Sequence, residues 1–498
     1  MSGVEPPTNA IEAREPLSAK LHRWHQKVGI FVCLAVIAWG LSGLAHPIIS
    51  RLNPKPAAFV PPSETVRLSD VTAPGAALSA LDIKTFRSLQ LLGFEHKPYY
   101  RVETDEGVLW LDAATGRVRE NGEHAFAVKL ARYYLGDELS SVGETRLITA
   151  FDSDYLYIDR LLPVYRVDFQ RPDGMRAYVE TASGRLATLT DDRKALTGRL
   201  FRLLHSWGPV AGEHWSFLLM AILLLGSAFT ASAGMLVYGV LWRRNHLSDN
   251  KPVSVRWHRS LGALISVAAL GFALSGLFHL TAKHLGATEV ELPSPERFHV
   301  SEITADWSML GQHLDRDTIT KAQLIRMDGK AYWQVQNRPT QAAGGHGHHG
   351  AGTSPPPQAD QYLDASTAAL RADAAVTHAL ELAARYAGIS ANDPSQTRLV
   401  SAFGGDYGFI FKRLPVYSVS FTDLPGHDWY VETRSGALAA HVGPLARMEG
   451  WVFGYIHKWH FLDGFGKDLR DILMASAAVL LVLVATMGAW HFIRLRLP

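Results

Sequence analysis

Histidine is the residue in this sequence with the most chemistry to offer. There are 22 in 498 residues, and a neutral imidazole can ligate metal or haem iron near neutral pH. Seven stand close to long apolar stretches. His25 and His258 open two of those stretches and His46 and His279 close them, while His205 and His457 precede two others and His491 ends the last. His25 and His46 are 21 residues apart, about 31 Å along a helix. His258 and His279 keep the same interval. One haem cannot bridge that distance, but two haems at opposite faces of a membrane can use one member each. Arg23, Lys27, Arg256 and Arg259 flank the first pair, where charge-assisted bonds to haem propionates are expected. A membrane-edge histidine can equally hydrogen-bond headgroups or cap a helix.

The elements that must position these imidazoles are four nearly charge-free stretches, Val28–Ile49, Trp215–Trp242, Leu261–Ala282 and Ile472–Ile493. Each is long enough for a helix to cross a hydrocarbon core of about 30 Å. The sequence predicts a cytoplasmic tail (1–19), a first span (20–49), a periplasmic block (50–213) and a second span (214–242). A cytoplasmic loop (243–259), a third span (260–282), a second periplasmic block (283–470), a fourth span (471–493) and a short cytoplasmic end (494–498) follow. Basic residues before the first span, between the second and third (Arg243, Arg244, Lys251) and after the fourth (Arg494, Arg496) put both termini in the cytoplasm. In a bacterium this is a multi-pass inner-membrane protein, and the first span reads as a retained anchor.

The chain also matches itself. Arg23-Trp24-His25, Gly29, Ser42-Gly43-Leu44 and His46 recur 233 positions later, from Arg256 to His279. Leu162-Pro163-Val164-Tyr165, Tyr178-Val179-Glu180-Thr181, Ser183-Gly184, His205 and Trp207 recur 252 positions later, from Leu414 to Trp459. One Gly/His/Pro-rich insertion at 340–359 accounts for the change of offset, and its composition suits a flexible loop. Two parallel repeats related by a pseudo-two-fold axis along the membrane normal are expected. His491 has no counterpart; Val237 is near the matching place. Within the blocks, Val164–Phe169 with Ala177–Glu180 and Tyr99–Glu103 with Val108–Asp112 read as hairpins. Ala125–Leu135 and Ala374–Tyr386 have helical spacing, so each block is expected to be α+β.

These units, with a Val-Tyr-x-Val strand and a Tyr-Val-Glu-Thr-x-Ser-Gly end, resemble PepSY domains. The Arg-Trp-His-x-x-x-Gly entry to the spans resembles the PepSY-associated transmembrane family. The resemblance implies four transmembrane helices with periplasmic PepSY-like α+β domains. It extends to haem-containing inner-membrane reductases of ferric siderophores. It therefore implies haem b, two per chain. The expected two-fold axis would bring equivalent histidines together, so His25 with His258 could hold one haem and either His46 with His279 or His205 with His457 the other; the sequence leaves the pairing open. The expected partners are a ferric siderophore or other iron(III) chelate, a quinol or cytoplasmic electron donor, and the lipid bilayer.

Composition narrows the alternatives. With 49 basic and 47 acidic residues the net charge is +2, which gives no basic surface for nucleic acid. Cys33 is the lone cysteine, so the chain holds no internal disulfide, thiolate cluster or c-type haem attachment; it is expected to be a buried apolar residue. His346, His348 and His349 can bind a metal only loosely in a glycine-rich loop. Arg160 and Arg413 are expected to be solvated strand-end charges. Trp207, Trp215, Trp242 and Trp459 suit an interfacial belt, and ordinary packing explains Trp39. There is no nucleotide-binding glycine loop and no nucleophile elbow. A transporter is disfavoured by the absence of ionisable residues within the spans. The remaining rival is a membrane-anchored PepSY module that regulates or assists an uptake system without catalysis.

Overall fold

A computed structural model describes residues 16–244, 251–286, 293–294, 296–315, 318–338, 359–391 and 394–494. The histidine run His346–His349, most of the 340–359 insertion and the terminal residues 1–15 and 495–498 lie outside the described residues. The chain forms two compact units.

The first unit takes residues Met1–Leu52, Leu196–Ala287 and Met448–Pro498. Its helices Leu17–Leu52, His214–Arg243, Val253–Leu285 and Lys467–Arg494 are long and apolar enough to cross a membrane, which makes this a membrane protein. The first span packs on the second and the fourth, and the third packs on the same two. The first and third spans thus occupy diagonal corners. Small residues set these approaches: a Cβ on Gly40 would stand 2.6 Å from Val482, and one on Gly226 2.7 Å from Val32. Two further segments belong to this unit rather than to the sheets. One is the end of the helix Asp192–His205; the other runs from Met448 through a π-helical turn at Phe453–His457.

The second unit takes Asn53–Ala195 and Thr288–Arg447 and is a mixed α/β region. Its six-stranded antiparallel sheet runs in the order Gln361–Asp364, Lys330–Asn337, Ile319–Met327, Ser88–Phe94, Lys97–Glu103, Val108–Asp112. The two central strands come from distant parts of the chain, with Gln90 opposite Gln323. One four-stranded antiparallel sheet contains Val142–Ile148, Val164–Phe169, Arg176–Glu180 and Arg185–Thr190 in sequence order. The other contains Pro394–Val400, Val416–Phe421, Asp428–Glu432 and Ala437–Val442, also in sequence order. Each is covered by one helix, Gly122–Leu135 and Ala374–Ala387, whose apolar faces bury Phe126, Ala127 and Leu130 in one case and Ala379, Leu382 and Ala383 in the other. Gly136 and Gly388, both at φ 68°, end these helices in the left-handed conformation that glycine adopts without strain.

Three expectations need correction here. Arg413 is buried, not solvated: it bonds Glu180 at 2.6 Å and Glu432 at 2.9 Å. Both carboxylates are themselves buried, so the guanidinium is the counter-charge that makes their burial affordable. Arg160 lies over the rings of Tyr157 and Phe411 rather than in open solvent. Cys33 is only half-buried, its thiol pointing at the Ile30 carbonyl.

Candidate functional site

At one end of the helical unit, His25 on the first span faces His258 on the third across the bundle diagonal, with ring centroids 6.4 Å apart. Each ring is pinned from behind. His25 Nδ1 donates to the Thr230 carbonyl at 3.0 Å, and His258 Nδ1 donates to the Val484 carbonyl at 3.1 Å. A carbonyl only accepts, so both Nδ1 atoms carry the proton and both Nε2 atoms keep a free lone pair. Glycines make room for the rings. A Cβ on Gly234 would meet His25 Cε1 at 2.9 Å, and one on Gly488 would meet His258 Cε1 at 3.0 Å. Val484 and Gly488 lie 254 positions after Thr230 and Gly234, so the two pockets match residue for residue.

The separation has a chemical meaning. With metal–nitrogen bonds of about 2.0–2.1 Å, rings at this separation would leave room for one metal between them. His491 adds a third ring, 6.2 Å from His258 at 79°, and its Nε2 is buried without a partner. His258 thus has two imidazole neighbours at similar spacing, and of these His25 is the one whose Nδ1, like that of His258, is held by a backbone carbonyl. Arg23 and Arg256, two residues before these histidines, are exposed, as is Lys27.

Farther along the first and third spans, Ser42 and Ser275 anchor His205, at the end of the helix Asp192–His205, and His457, in the π-helical turn, with hydroxyls in place of carbonyls. Ser42 Oγ donates to the Trp39 carbonyl at 2.9 Å and therefore accepts from His205 Nδ1 at 3.0 Å. Ser275 Oγ donates to the Gly271 carbonyl and accepts from His457 Nδ1 at 3.0 Å. With Nδ1 protonated, the lone pair lies on Nε2 of both rings; the His457 ring also meets the Phe272 backbone, and the two imidazoles lie within electrostatic reach of each other. Aromatic rings wedge these histidines in place. Phe201 stacks on His205 and touches His46; Phe453 stacks between His457 and His279.

Trp39 stacks on Trp207 at 5.6 Å and donates its indole N–H to the His205 carbonyl, and Phe272 stacks on Trp459 at 5.5 Å. Trp207 and Trp459 are therefore packed into this unit rather than serving only as a lipid-facing belt, whereas Trp215 and Trp242 are exposed. Both packed tryptophans sit at positive φ, 53° and 54°, a strained backbone that persists only where surrounding packing imposes it.

His46 and His279 differ from one another. His46 is exposed. His279 Nδ1 is bound to the buried carboxylate of Glu449, which also meets Lys283 at 3.4 Å. Thr197 stands at the matching place in the first half of the chain. The sequence offered Ser42 and Ser275 inside its repeated motif, but nothing there assigned them a role. Gly234, Gly488 and Glu449 carried no signal that set them apart.

No protein-family model matches this chain, and no curated protein matches it.

Proposed function

We propose that this chain is a bacterial inner-membrane haem b protein that passes electrons outward to reduce a periplasmic iron(III) chelate, a ferric siderophore, during iron uptake. The observation that carries this reading is the His25/His258 pair, two imidazoles 6.4 Å apart that could both hold one metal, each anchored through Nδ1. His205 and His457, anchored by Ser42 and Ser275, are the second ligand pair. Bound at these pairs, haem b supplies one-electron exchange.

The rest is the work of side chains. The Nδ1 anchors fix the tautomer of each ring and leave Nε2 as the atom that could bind a metal. Apolar packing around Val32, Ala35 and Leu223 keeps water out of the bundle between the two ends. Arg23 and Arg256, at the cytoplasmic rim, hold the propionates. Both termini are cytoplasmic in this reading, and the sheets are periplasmic PepSY-like domains that receive the chelate. The donor is a quinol or a cytoplasmic protein. Reduction loosens the complex because hard oxygen ligands suit Fe(III) better than Fe(II).

We further read the chain as two tandem repeats about an axis along the membrane normal. In support, Gln90 and Gln323, 233 positions apart, face each other at the centre of the six-stranded sheet, and the strand orders of the two four-stranded sheets coincide.

A pyridine haemochrome assay on the purified protein tests the function directly. Two haems b per chain are expected, together with rapid reoxidation of the dithionite-reduced protein by a ferric hydroxamate and Fe(II) recovered by a ferrous-specific chelator. Protein without a Soret band, made in cells competent for haem synthesis, would leave only the anchored PepSY module.

A further inference from the structure

The second four-stranded sheet carries a group of side chains that the first lacks. His427, Trp429 and His441 lie 252 positions after Met175, Ala177 and Leu189, three residues buried in the apolar core beneath the first sheet. In the second sheet Trp429 stands opposite His441 on the neighbouring strand, and the indole and imidazole stack at 4.8 Å. His427 packs against both, 5.1 Å from His441 at 16° from parallel and 5.8 Å from Trp429, so the three rings form a triangular cluster. His427 Nδ1 and His441 Nε2 are 2.9 Å apart. Gly443 admits the imidazole of His427, since a Cβ there would stand 2.8 Å from its Cε1.

Two ring nitrogens at this distance share one proton, and a cation can take the place of that proton. Donors about 2.0–2.1 Å from a metal and 2.9 Å from each other subtend an angle of about 90° at it. A right angle between imidazoles belongs to tetragonal coordination and not to a tetrahedron. The nearby carboxylates bring no hard oxygen ligand, because Asp406 and Asp428 are both engaged by Arg447, at 2.6 and 2.7 Å. We propose that His427 and His441 form a Cu(II) site, two cis imidazoles with water completing the square. To bind, each ring need only tilt within the cluster until its lone pair meets the ion, the two nitrogens keeping about their present separation. This site is independent of haem and of the reductase reading.

The test uses full-length protein in which His346, His348 and His349 are alanine, so that the glycine-rich run does not compete. Cu(II) titration followed by electron paramagnetic resonance should show one tightly bound ion per chain, with hyperfine structure from two nitrogens. H427A, H441A and the double variant H427M/H441L, which copies the first sheet, should each bind that ion at least tenfold more weakly while keeping the parent's thermal melt. A two-nitrogen signal missing from the parent protein would overturn the proposal without reference to any variant. So would copper uptake unchanged in all three variants, or equimolar Zn(II) displacing the copper.

Discussion

The two ends of the helical bundle hold their histidines by the same principle with different atoms. His25 and His258 lean on backbone carbonyls, and His205 and His457 lean on serine hydroxyls. In both cases the anchor accepts, Nδ1 donates and the lone pair is left on Nε2. A carbonyl inside a helix cannot turn away and cannot be mutated away. A hydroxyl can rotate, and it accepts from imidazole only because its own proton is given to the helix carbonyl behind it. The first pair is therefore held by fixed groups and the second by groups that can rotate.

The largest effects come from removing the rings. H258A should lose one of two haems per chain and abolish electron delivery to a ferric chelate. H457A should do the same from the other end, each leaving the opposite haem's spectrum intact. Single variants that each removed both haems would show that the ends are not separate sites. Next are the anchors. S42A or S275A should weaken haem binding at its own end by roughly 10–100-fold, the usual cost of losing the group that orients a ligand. T230A, which leaves the anchoring carbonyl in place, should change haem affinity by no more than about twofold. A T230A effect as large as that of S42A would erase the distinction between the two ends. Smaller again is G234A or G488A, whose added methyl must push on an imidazole at 2.9 or 3.0 Å. A cost of about 1 kcal/mol in stability is expected, with a shifted Soret maximum from the tilted ligand.

These comparisons also mark what a reader of the sequence can and cannot see. The four spans were legible because hydropathy is local, and the hairpins because alternation and turn residues are local. The helix over the first sheet begins earlier than its spacing suggests, at Gly122, because a glycine is required there: a Cβ would meet the Trp110 side chain at 2.5 Å. A poor helix former thus hides the start of the helix. Long-range partners were not legible at all. Ser42 stands in a repeated motif, yet its partner His205 is 163 positions away. Arg413 looks like a surface charge until Glu180, 233 positions away, closes on it. The histidines were found by type and repetition, but the groups behind them, the Thr230 and Val484 carbonyls, the Ser42 and Ser275 hydroxyls and the Glu449 carboxylate, were not.

The smallest effect concerns the place where the two halves of the helical unit differ. Glu449 is buried beside His279 and Lys283. Burial pushes its carboxyl up, but the bonds to His279 and Lys283 outweigh this and hold it below the usual carboxylate range. A carboxyl whose folded pKa is depressed contributes stability that is fully present above its unfolded pKa and lost as pH falls through the folded one. E449Q keeps the shape of the contact and removes the charge, so it should cost about 1 kcal/mol at pH 7, the difference between a charged and a neutral hydrogen bond. That cost should shrink toward zero as the wild-type carboxylate is protonated below about pH 4. T197E, which gives the first half the same carboxylate, should draw His46 into an equivalent pair without altering haem content. Urea melts of the three proteins across this pH range measure the effect. If E449Q also removed haem, His279 would be a ligand held by Glu449, and the assignment of His457 would have to be exchanged for it.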